Sequence, residues 1–274
     1  MKGPVRTPVI AGSWYPGDPG VLRSEIEGFL RQTPTGKAPR KPSVIISPHA
    51  GYQYSGRVAA HAYRALEGFS YSTVAVISPS HRAYFPSVSV WAKGAFETPL
   101  GVIGINEGLC AKLLEASGIF TGNTGPRDAE HALEIQLPFL QTVLPPFALC
   151  PLIMGQQDPG LVRDLSRALL GAVEDPDDVL VVASTDLSHF HRAKKAEAMD
   201  GEVVRLVGAL DVETLGRKLS AGEVEACGGG PVLAALMYAQ GLGRNEVKIL
   251  KYAHSGHVTG DDSSVVGYLS AVVY

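Results

Sequence analysis

Three runs of apolar, mostly β-branched residues constrain the fold of this 274-residue chain more than any other feature. None of them alternates apolar with polar residues, which is typical of strands buried on both faces. Stretches of helical length separate the runs, and strands that alternate with helices form layered α/β folds. The sequence therefore predicts an α/β fold with a central, mostly parallel or mixed sheet flanked by helices. The runs cover residues 44–46, 74–77 and 179–183.

The rest of the chain fits the same single domain, residues 1–274, because it contains no repeat, low-complexity tract or linker. Pro151 predicts that its strand is interrupted or lies at a sheet edge, since proline donates no hydrogen bond. Helices are predicted over residues 21–31, 57–66, 109–116, 129–143, 161–173, 197–209 and 232–238. Further strands are predicted over residues 147–153 and 247–252, with a closing strand over 265–273.

Composition excludes several classes of protein. The chain has 24 basic and 27 acidic residues without a basic block, so no nucleic-acid partner is expected. Its apolar runs are far shorter than the ~20 residues that span a bilayer, so no membrane segment is expected either. The first residues lack the apolar region of a secretory signal, and the three cysteines form no CxxC pair. We therefore expect a cytoplasmic protein with reduced thiols.

Each of the three apolar runs leads into small polar residues and then a histidine: His49, His81 and His189. Ligands of open α/β sheets bind beyond the carboxyl ends of the strands, so these histidines are expected to meet in one crevice. A single histidine after a strand is more often a turn residue than a ligand, but the recurrence favours a common metal site. Pro48 and Pro79 restrict the backbone before the first two histidines.

A metal held by two imidazoles needs a further protein donor, and two segments offer one. His131 and Glu134 share one helix face, although a solvated helix N-terminus rich in acidic residues from 128 onward is the favoured interpretation there. Cys227 lies in a glycine-rich turn before an apolar helix, a setting that lowers a thiol pKa. Cys110 and Cys150 lie in apolar periodic segments and are interpreted as core residues.

Seven strings occur along the chain in a fixed order: AGSWYP (11–16), PHAGYQYSG (48–56), PSH (79–81), ETPLG (97–101), EHALEIQLPFL (130–140), STDLSH (184–189) and ACG (226–228). In these strings the chain resembles the Memo family over essentially its whole length. Bacterial and archaeal members are also named AmmeMemoRadiSam system protein B, which implies a functional link to radical SAM proteins.

The Memo family is similar in fold to class III extradiol ring-cleaving dioxygenases, which hold non-haem Fe(II) with two histidines and a glutamate. The resemblance implies that His49, His81 and Cys227 are the metal ligands. It implies further that His189 is the catalytic acid and base, and that Asp186 orients its neighbours. Because a thiolate stands where the dioxygenases have a carboxylate, copper(I) or zinc is favoured relative to Fe(II).

The sequence thus predicts a metal-dependent, dioxygenase-like oxidoreductase with iron or copper, or else zinc, acting on an unknown small molecule or peptide. The substrate-binding residues expected are Tyr52 and Tyr54, then Trp14 and Tyr15 by resemblance, and His131. Packing beneath the glycine turn is an equal interpretation for Tyr52 and Tyr54.

Two other functions stay open. The crevice could hold a peptide or an anion without turnover, with the helix that opens after Gly230 receiving the anion; some family members are linked to phosphotyrosine peptides. Alternatively, Cys227 could be the nucleophile of a hydrolase with His189 as its base.

Overall fold

The computed structural model describes residues 3–34, 38–122 and 129–274 of the protein. Its strands are β1 (Val5–Arg6), β2 (Val44–Ser47), β3 (Thr73–Pro79), β4 (Val88–Val90), β5 (Ala95–Thr98), β6 (Gly101–Gly104), β7 (Phe120–Gly122), β8 (Ala148–Met154), β9 (Val179–Ser184), β10 (Asp186–His191), β11 (Val247–His254) and β12 (Val265–Val273). Its helices are α1 (Pro19–Gln32), α2 (Tyr52–Arg64), α3 (Glu107–Ala116), α4 (His131–Glu134), α5 (Leu137–Val143), α6 (Pro159–Ala172), α7 (Ala193–Gly208), α8 (Val212–Ser220), α9 (Gly229–Gly241) and α10 (Gly256–Thr259).

The main sheet has the strand order β10-β12-β2-β9-β3-β8-β4-β7, with β11 on β12 as well. Strands β2, β9, β3 and β8 are parallel, whereas β12 runs antiparallel to β2 and β4 antiparallel to β8. A small sheet, β1-β5-β6, forms beside it. The prediction of an α/β fold with a mixed sheet is therefore confirmed.

The three predicted central strands are buried at every residue, which explains why their sequences do not alternate. They are neighbours in the sheet, with β9 between β2 and β3. Ser47 pairs with Ser184 and Ile77 pairs with Ala183, so the three strands end at the same edge. This register brings the segments that follow them into one place.

Seven of the ten helices form two groups. Helices α1, α2 and α5 contact one another, and α2 lies against β2 and β12. Helices α3, α6, α8 and α9 form the second group, in which α9 lies against β9, β3 and β2. No helix in the described ranges is both long and apolar enough to cross a bilayer.

The prediction of an edge or interrupted strand at Pro151 is wrong, because β8 lies between β3 and β4. On the β4 side, Pro151 falls between Leu149, which forms a bridge with Ile105, and Leu152, the first residue of β8 that pairs with β4. The missing N–H therefore removes no ladder hydrogen bond on that side.

The helix predicted over residues 129–143 is two helices, α4 and α5. Pro138 lies in the first turn of α5, where its missing N–H is harmless, but in a continuous helix it would leave the carbonyl of Glu134 unpaired. The short helix α4 matters for the site, because it begins at His131 and packs against β3.

Candidate metal centre

Three histidines meet at the edge where β2, β9 and β3 end. His49 follows β2, His81 follows β3, and His131 begins α4. The ring centroids of His49 and His81 are 5.1 Å apart, and that of His131 is 5.8 Å and 4.7 Å from them. One donor nitrogen of each histidine lies within 4.8 Å of the others. The cluster therefore has the composition and spacing of a metal site.

His49 is held in the tautomer that a metal ligand requires. Its Nδ1 lies 2.9 Å from the Oγ of Ser184, and that hydroxyl already donates its proton to the carbonyl of Ala132 at 2.6 Å. The hydroxyl oxygen must therefore accept from Nδ1–H. This assignment leaves the lone pair of His49 on Nε2.

His81 is oriented by a carboxylate. Its Nδ1 lies 3.0 Å from Oε1 of Glu130. The other oxygen of this carboxylate, Oε2, accepts the backbone N–H of His81. Burial alone would raise the pKa of Glu130, but the hydrogen bonds from His81 and from the backbone of Ala132 together outweigh it and lower this pKa to about 2. An ionised carboxylate behind a histidine is the usual outer-shell partner of a metal-bound imidazole.

His131 is the third member of the cluster and lies under the ring of Trp14, with centroids 4.3 Å apart. Burial lowers the pKa of His131 to about 4, so the ring is neutral at pH 7. Its buried Nδ1 has no hydrogen-bond partner among the described residues, and Oε1 of Glu130 lies 3.3 Å from it. Buried polar atoms rarely remain unpaired, so this atom fits a cluster that holds a ligand.

Cys227 lies beside His49 but is not one of the three clustered donors. Its Sγ lies 3.0 Å from Nε2 of His49 and accepts the backbone N–H of Asp186 at 3.2 Å. Gly228 makes this approach possible, since a Cβ there would lie 2.1 Å from the backbone oxygen of Ser184. Cys227 thus contacts one histidine of the cluster directly.

The expectation of a lowered thiol pKa at Cys227 is wrong for this geometry. Burial, followed by the charge of Asp186, raises the pKa of the thiol. The nearby N–H groups are also engaged: Gly228 donates to Thr185, and Gly230 donates to Gln157. The start of α9 therefore offers neither a free anion site nor a strong activator of the thiol.

A cleft with a volume of about 700 Å³ opens over the cluster. Trp14 and Tyr54 line it together with the three histidines, and their role in substrate binding stays a prediction. The prediction that Tyr15 and Tyr52 bind substrate is corrected by the structure, because both are core residues. Their hydroxyls donate to Glu134 at 2.7 Å and to the carbonyl of Ile135 at 2.9 Å, so they lie beneath the cleft instead of facing it.

Asp186 and His189 also line the cleft. Asp186 accepts the backbone N–H of His49 at 2.7 Å, and burial raises its pKa to about 6. His189 lies on β10 between two irregularities of the pairing with β12, and it also borders a second cavity that Cys227 lines. It is not one of the three clustered donors.

The family model described as Memo-like protein matches residues 6–272. The chain belongs to the Memo family. It is 37% identical over 273 residues to a MEMO1 family protein of Methanothermobacter thermautotrophicus, covering 96% of this chain and 98% of that protein. A MEMO1 family protein of Thermotoga neapolitana is also 37% identical, over 98% of this chain and 99% of its own length.

The solvated helix N-terminus expected before His131 is wrong in this Memo-family chain. Glu130, His131 and Glu134 are all buried, while Asp128 lies outside the described residues. The spacing of His131 and Glu134 suggested a shared face but gave no sign that Glu130 contacts His81. Only the packing of α4 under the sheet edge brings the two together.

Sequence reasoning also missed Phe190. This residue lies between His189 and His191 in the sequence of β10. It has φ +61°, is 77% exposed and lines the cleft. Left-handed backbone at a large residue is uncommon and costs free energy. Here it accompanies the irregular pairing of β10 and leaves an aromatic ring at the mouth of the cleft.

We expect Glu130→Gln to weaken metal binding by the cluster about 10- to 100-fold, as the loss of an outer-shell carboxylate typically does. The amide keeps the shape of the side chain but removes the charge behind His81. The measurement is a metal titration of chelator-treated protein. Glu115→Gln, on the exposed face of α3, is the matched control. Equal affinities for both variants would show that Glu130 does not support the metal.

Proposed function

We propose that this Memo-family protein binds one redox-active metal ion, iron or copper, and acts as an oxidoreductase on a small molecule in the cleft. The observation that carries the proposal is the orientation of His49 and His81. Each has its Nδ1 held by a neighbour, Ser184 or Glu130, which leaves both Nε2 atoms as ligands. When bound, the ion supplies electron exchange with a substrate or with dioxygen at its open positions.

The donor set supports iron, copper or zinc and disfavours magnesium or calcium, which prefer oxygen ligands. His49, His81 and His131 offer nitrogen, and Cys227 offers sulfur beside His49. The proposal takes the first two histidines and Cys227 as ligands, with His131 as a further donor or a substrate contact. The choice of iron or copper over zinc follows from the resemblance to the dioxygenases.

The other residues of the cleft have separate tasks in this proposal. His189 gives and takes the substrate proton, because histidine is the side chain that most often acts as a general acid and base. Asp186 positions the turn of His49 through its 2.7 Å hydrogen bond. Trp14 and Tyr54 form walls that exclude water and contact the substrate.

The test uses untagged protein, loaded anaerobically with Fe(II) or Cu(I) and freed of excess metal by gel filtration. We expect about one ion per chain by elemental analysis, and oxygen uptake with ascorbate as reductant that exceeds the rate of the same free metal. His189→Ala should keep the ion but lose about 10²- to 10⁴-fold in uptake, the usual contribution of a general acid or base. Absence of stoichiometric iron or copper, or uptake no faster than that of free metal, would overturn the proposal.

The 3.0 Å contact between Cys227 and His49 favours a cysteine hydrolase as the second candidate, with His49 in place of His189 as the base. Trapping with iodoacetamide separates the two functions. A hydrolase predicts rapid alkylation of Cys227 in metal-free protein at pH 7, which His49→Ala slows. The metal proposal predicts slow alkylation, because burial raises the pKa of the thiol, and further protection when metal is bound.

A further inference from the structure

A second cavity, with a volume of about 910 Å³, adjoins the cleft at His189, which lines both. Cys227 also lines this cavity, whereas the three clustered histidines line only the cleft. Its walls come mainly from α6, α8 and α9, and we call it the α9 cavity. The larger apolar side chains in these walls include Val162, Leu187, Val212, Leu219, Leu233 and Met237. A concave, mostly apolar lining is typical of small-molecule sites.

Helix α9 presents an uncovered apolar face to this cavity. The helix is apolar on nearly every side, and a helix with that pattern is normally buried all round. Residues 229–239 are buried with two exceptions, Leu233 and Met237. These two side chains are one turn apart, and both line the cavity. The described residues thus leave uncovered the one part of α9 that faces the cavity.

Helix α8 forms another wall of the cavity. Val212, Gly216 and Leu219 follow one another at helical spacing and line the cavity, and Leu215 is the one buried residue of this fully described helix. A Cβ at Gly216 would lie 3.5 Å from Cδ1 of Leu233, so α8 and α9 are in close contact there. The apolar face of α8 is therefore only partly covered as well.

Polar groups that line the cavity near Cys227 already have partners. Gln157 accepts the backbone N–H of Gly230 through Oε1 and donates through Nε2 to the carbonyl of Cys227, both at 2.7 Å. Oε1 of Glu225 lies 2.9 Å from Nε2 of His191. Because these groups need no further hydrogen bond, a ligand in this region gains free energy mainly from apolar contact.

Two arginines border the cavity from two helices. Arg163 belongs to α6 and Arg217 to α8, and both are exposed. No carboxylate among the described residues forms a salt bridge with either guanidinium, although Asp211 is near enough to feel the charge of Arg217. Glu213, which also lines the cavity, lies in the first turn of α8, where the helix dipole favours a negative charge. Both guanidinium groups therefore remain available to an anion.

We propose that the α9 cavity binds a small organic anion. Its aromatic or aliphatic body would pack against Leu233 and Met237, and its acidic group would pair with Arg163 and Arg217. The volume of the cavity lies in the usual range of about 300–1,000 Å³ for small-molecule sites. This binding uses no metal ligand of the cleft, so it goes beyond the proposed function and does not depend on it.

The test uses anilinonaphthalene sulfonate, an aromatic anion that fluoresces in apolar surroundings, with untagged, chelator-treated protein. Phenylnaphthylamine, which has the same rings without the sulfonate, is the matched neutral probe. We expect one saturable site per chain for the anion. Arg163→Gln/Arg217→Gln should weaken the anion about tenfold or more, since hydrogen bonds to charged groups are strong, and leave the neutral probe unaltered. Arg23→Gln/Arg31→Gln, on the exposed face of α1, should change neither affinity.

Gly216→Leu tests the location of the site. A Cβ there meets Leu233 at ordinary contact distance, so the larger side chain fills the cavity without a backbone clash. Both probes should bind about tenfold more weakly or worse. Gly201→Leu, on the open surface of α7, is the matched control. His81→Ala should bind both probes like the wild type, so failure of the proposed metal function would leave this result unchanged.

The proposal is overturned if the wild type shows no saturable site for the anion, or if correctly folded Gly216→Leu binds both probes with wild-type affinity. Unchanged anion affinity in the arginine variant, or an equal loss of both probes, would contradict the pairing with the guanidinium groups. Loss of binding in His81→Ala would place the probes in the cleft instead. A dimer in sedimentation that Gly216→Leu dissociates would assign the cavity to a second copy of the chain and would also overturn the proposal.

Discussion

His81→Ala is expected to weaken metal binding by the cleft cluster roughly a hundredfold to a thousandfold. Zinc-type sites are stabilised by about 10–16 kcal/mol, so one of four donors accounts for about 2.5–4 kcal/mol, and each 1.4 kcal/mol is a factor of ten. His81 suits the test because its side chain is 31% exposed, so its loss leaves the core intact. The measurement is competition between the protein and a chromogenic chelator, with Co²⁺ or Fe(II) under anaerobic conditions.

The control for this prediction is His61→Ala, which removes a histidine from α2 without changing the cluster. Its affinity should match that of the wild type. Far-ultraviolet circular dichroism of each variant reports whether the fold is retained. A correctly folded His81→Ala protein with wild-type affinity would remove His81 from the ligand set and contradict the assignment.

Arg6→Ala is expected to lower the free energy of unfolding by about 3–5 kcal/mol, the typical cost of removing one partner of a buried ion pair. Nη1 of Arg6 donates to Oε2 of Glu134 at 2.6 Å, and both side chains are almost fully buried. The same carboxylate accepts the backbone N–H groups of Val9 and Ile10, at 2.9 and 3.1 Å, and the hydroxyl of Tyr15. Without Arg6, a buried charge would remain without its cation.

Urea unfolding followed by circular dichroism measures this effect. Arg167→Ala breaks an exposed pair with Asp164 and should change stability by less than about 1 kcal/mol. Glu134 is not one of the proposed metal ligands, so the loss of stability should be equal in metal-free protein. A change below 1 kcal/mol for Arg6→Ala would mean that the hydrogen bonds from the N-terminal segment alone stabilise the carboxylate.

The elements predicted best were those whose signal is local. The strand predicted over 265–273 has the observed bounds of β12. A long apolar run between turns can be identified from consecutive residues alone. Its position inside the sheet, between β2 and β10, was not predictable in the same way, since pairing depends on residues far along the chain. The position of the strand that contains Pro151 was not predictable for the same reason. Its neighbours in the sheet determine whether the missing N–H removes a hydrogen bond.

The residues of the candidate site were also predicted only where the signal is local. The motifs after β2 and β3 pointed to His49 and His81, because parallel neighbours end at one edge and a short turn leaves a side chain little freedom. Cys227 and His189 were singled out by motif as well, and the structure places both beside the cleft or its adjoining cavity. Neither their contacts nor their protonation could be read from sequence.

Local composition and order were thus sufficient for the fold class, for six of the twelve strands in the described ranges and for two neighbouring histidines of the cluster. Tertiary packing decided that Glu130 supports His81, that His131 joins the cluster and that Tyr15 and Tyr52 belong to the core. It also brought Glu197 within 3.4 Å of His254, which lies 57 positions later along the chain. The physical reason is burial: tautomer, charge and donor geometry are set by the atoms that surround a side chain, and distant segments supply those atoms.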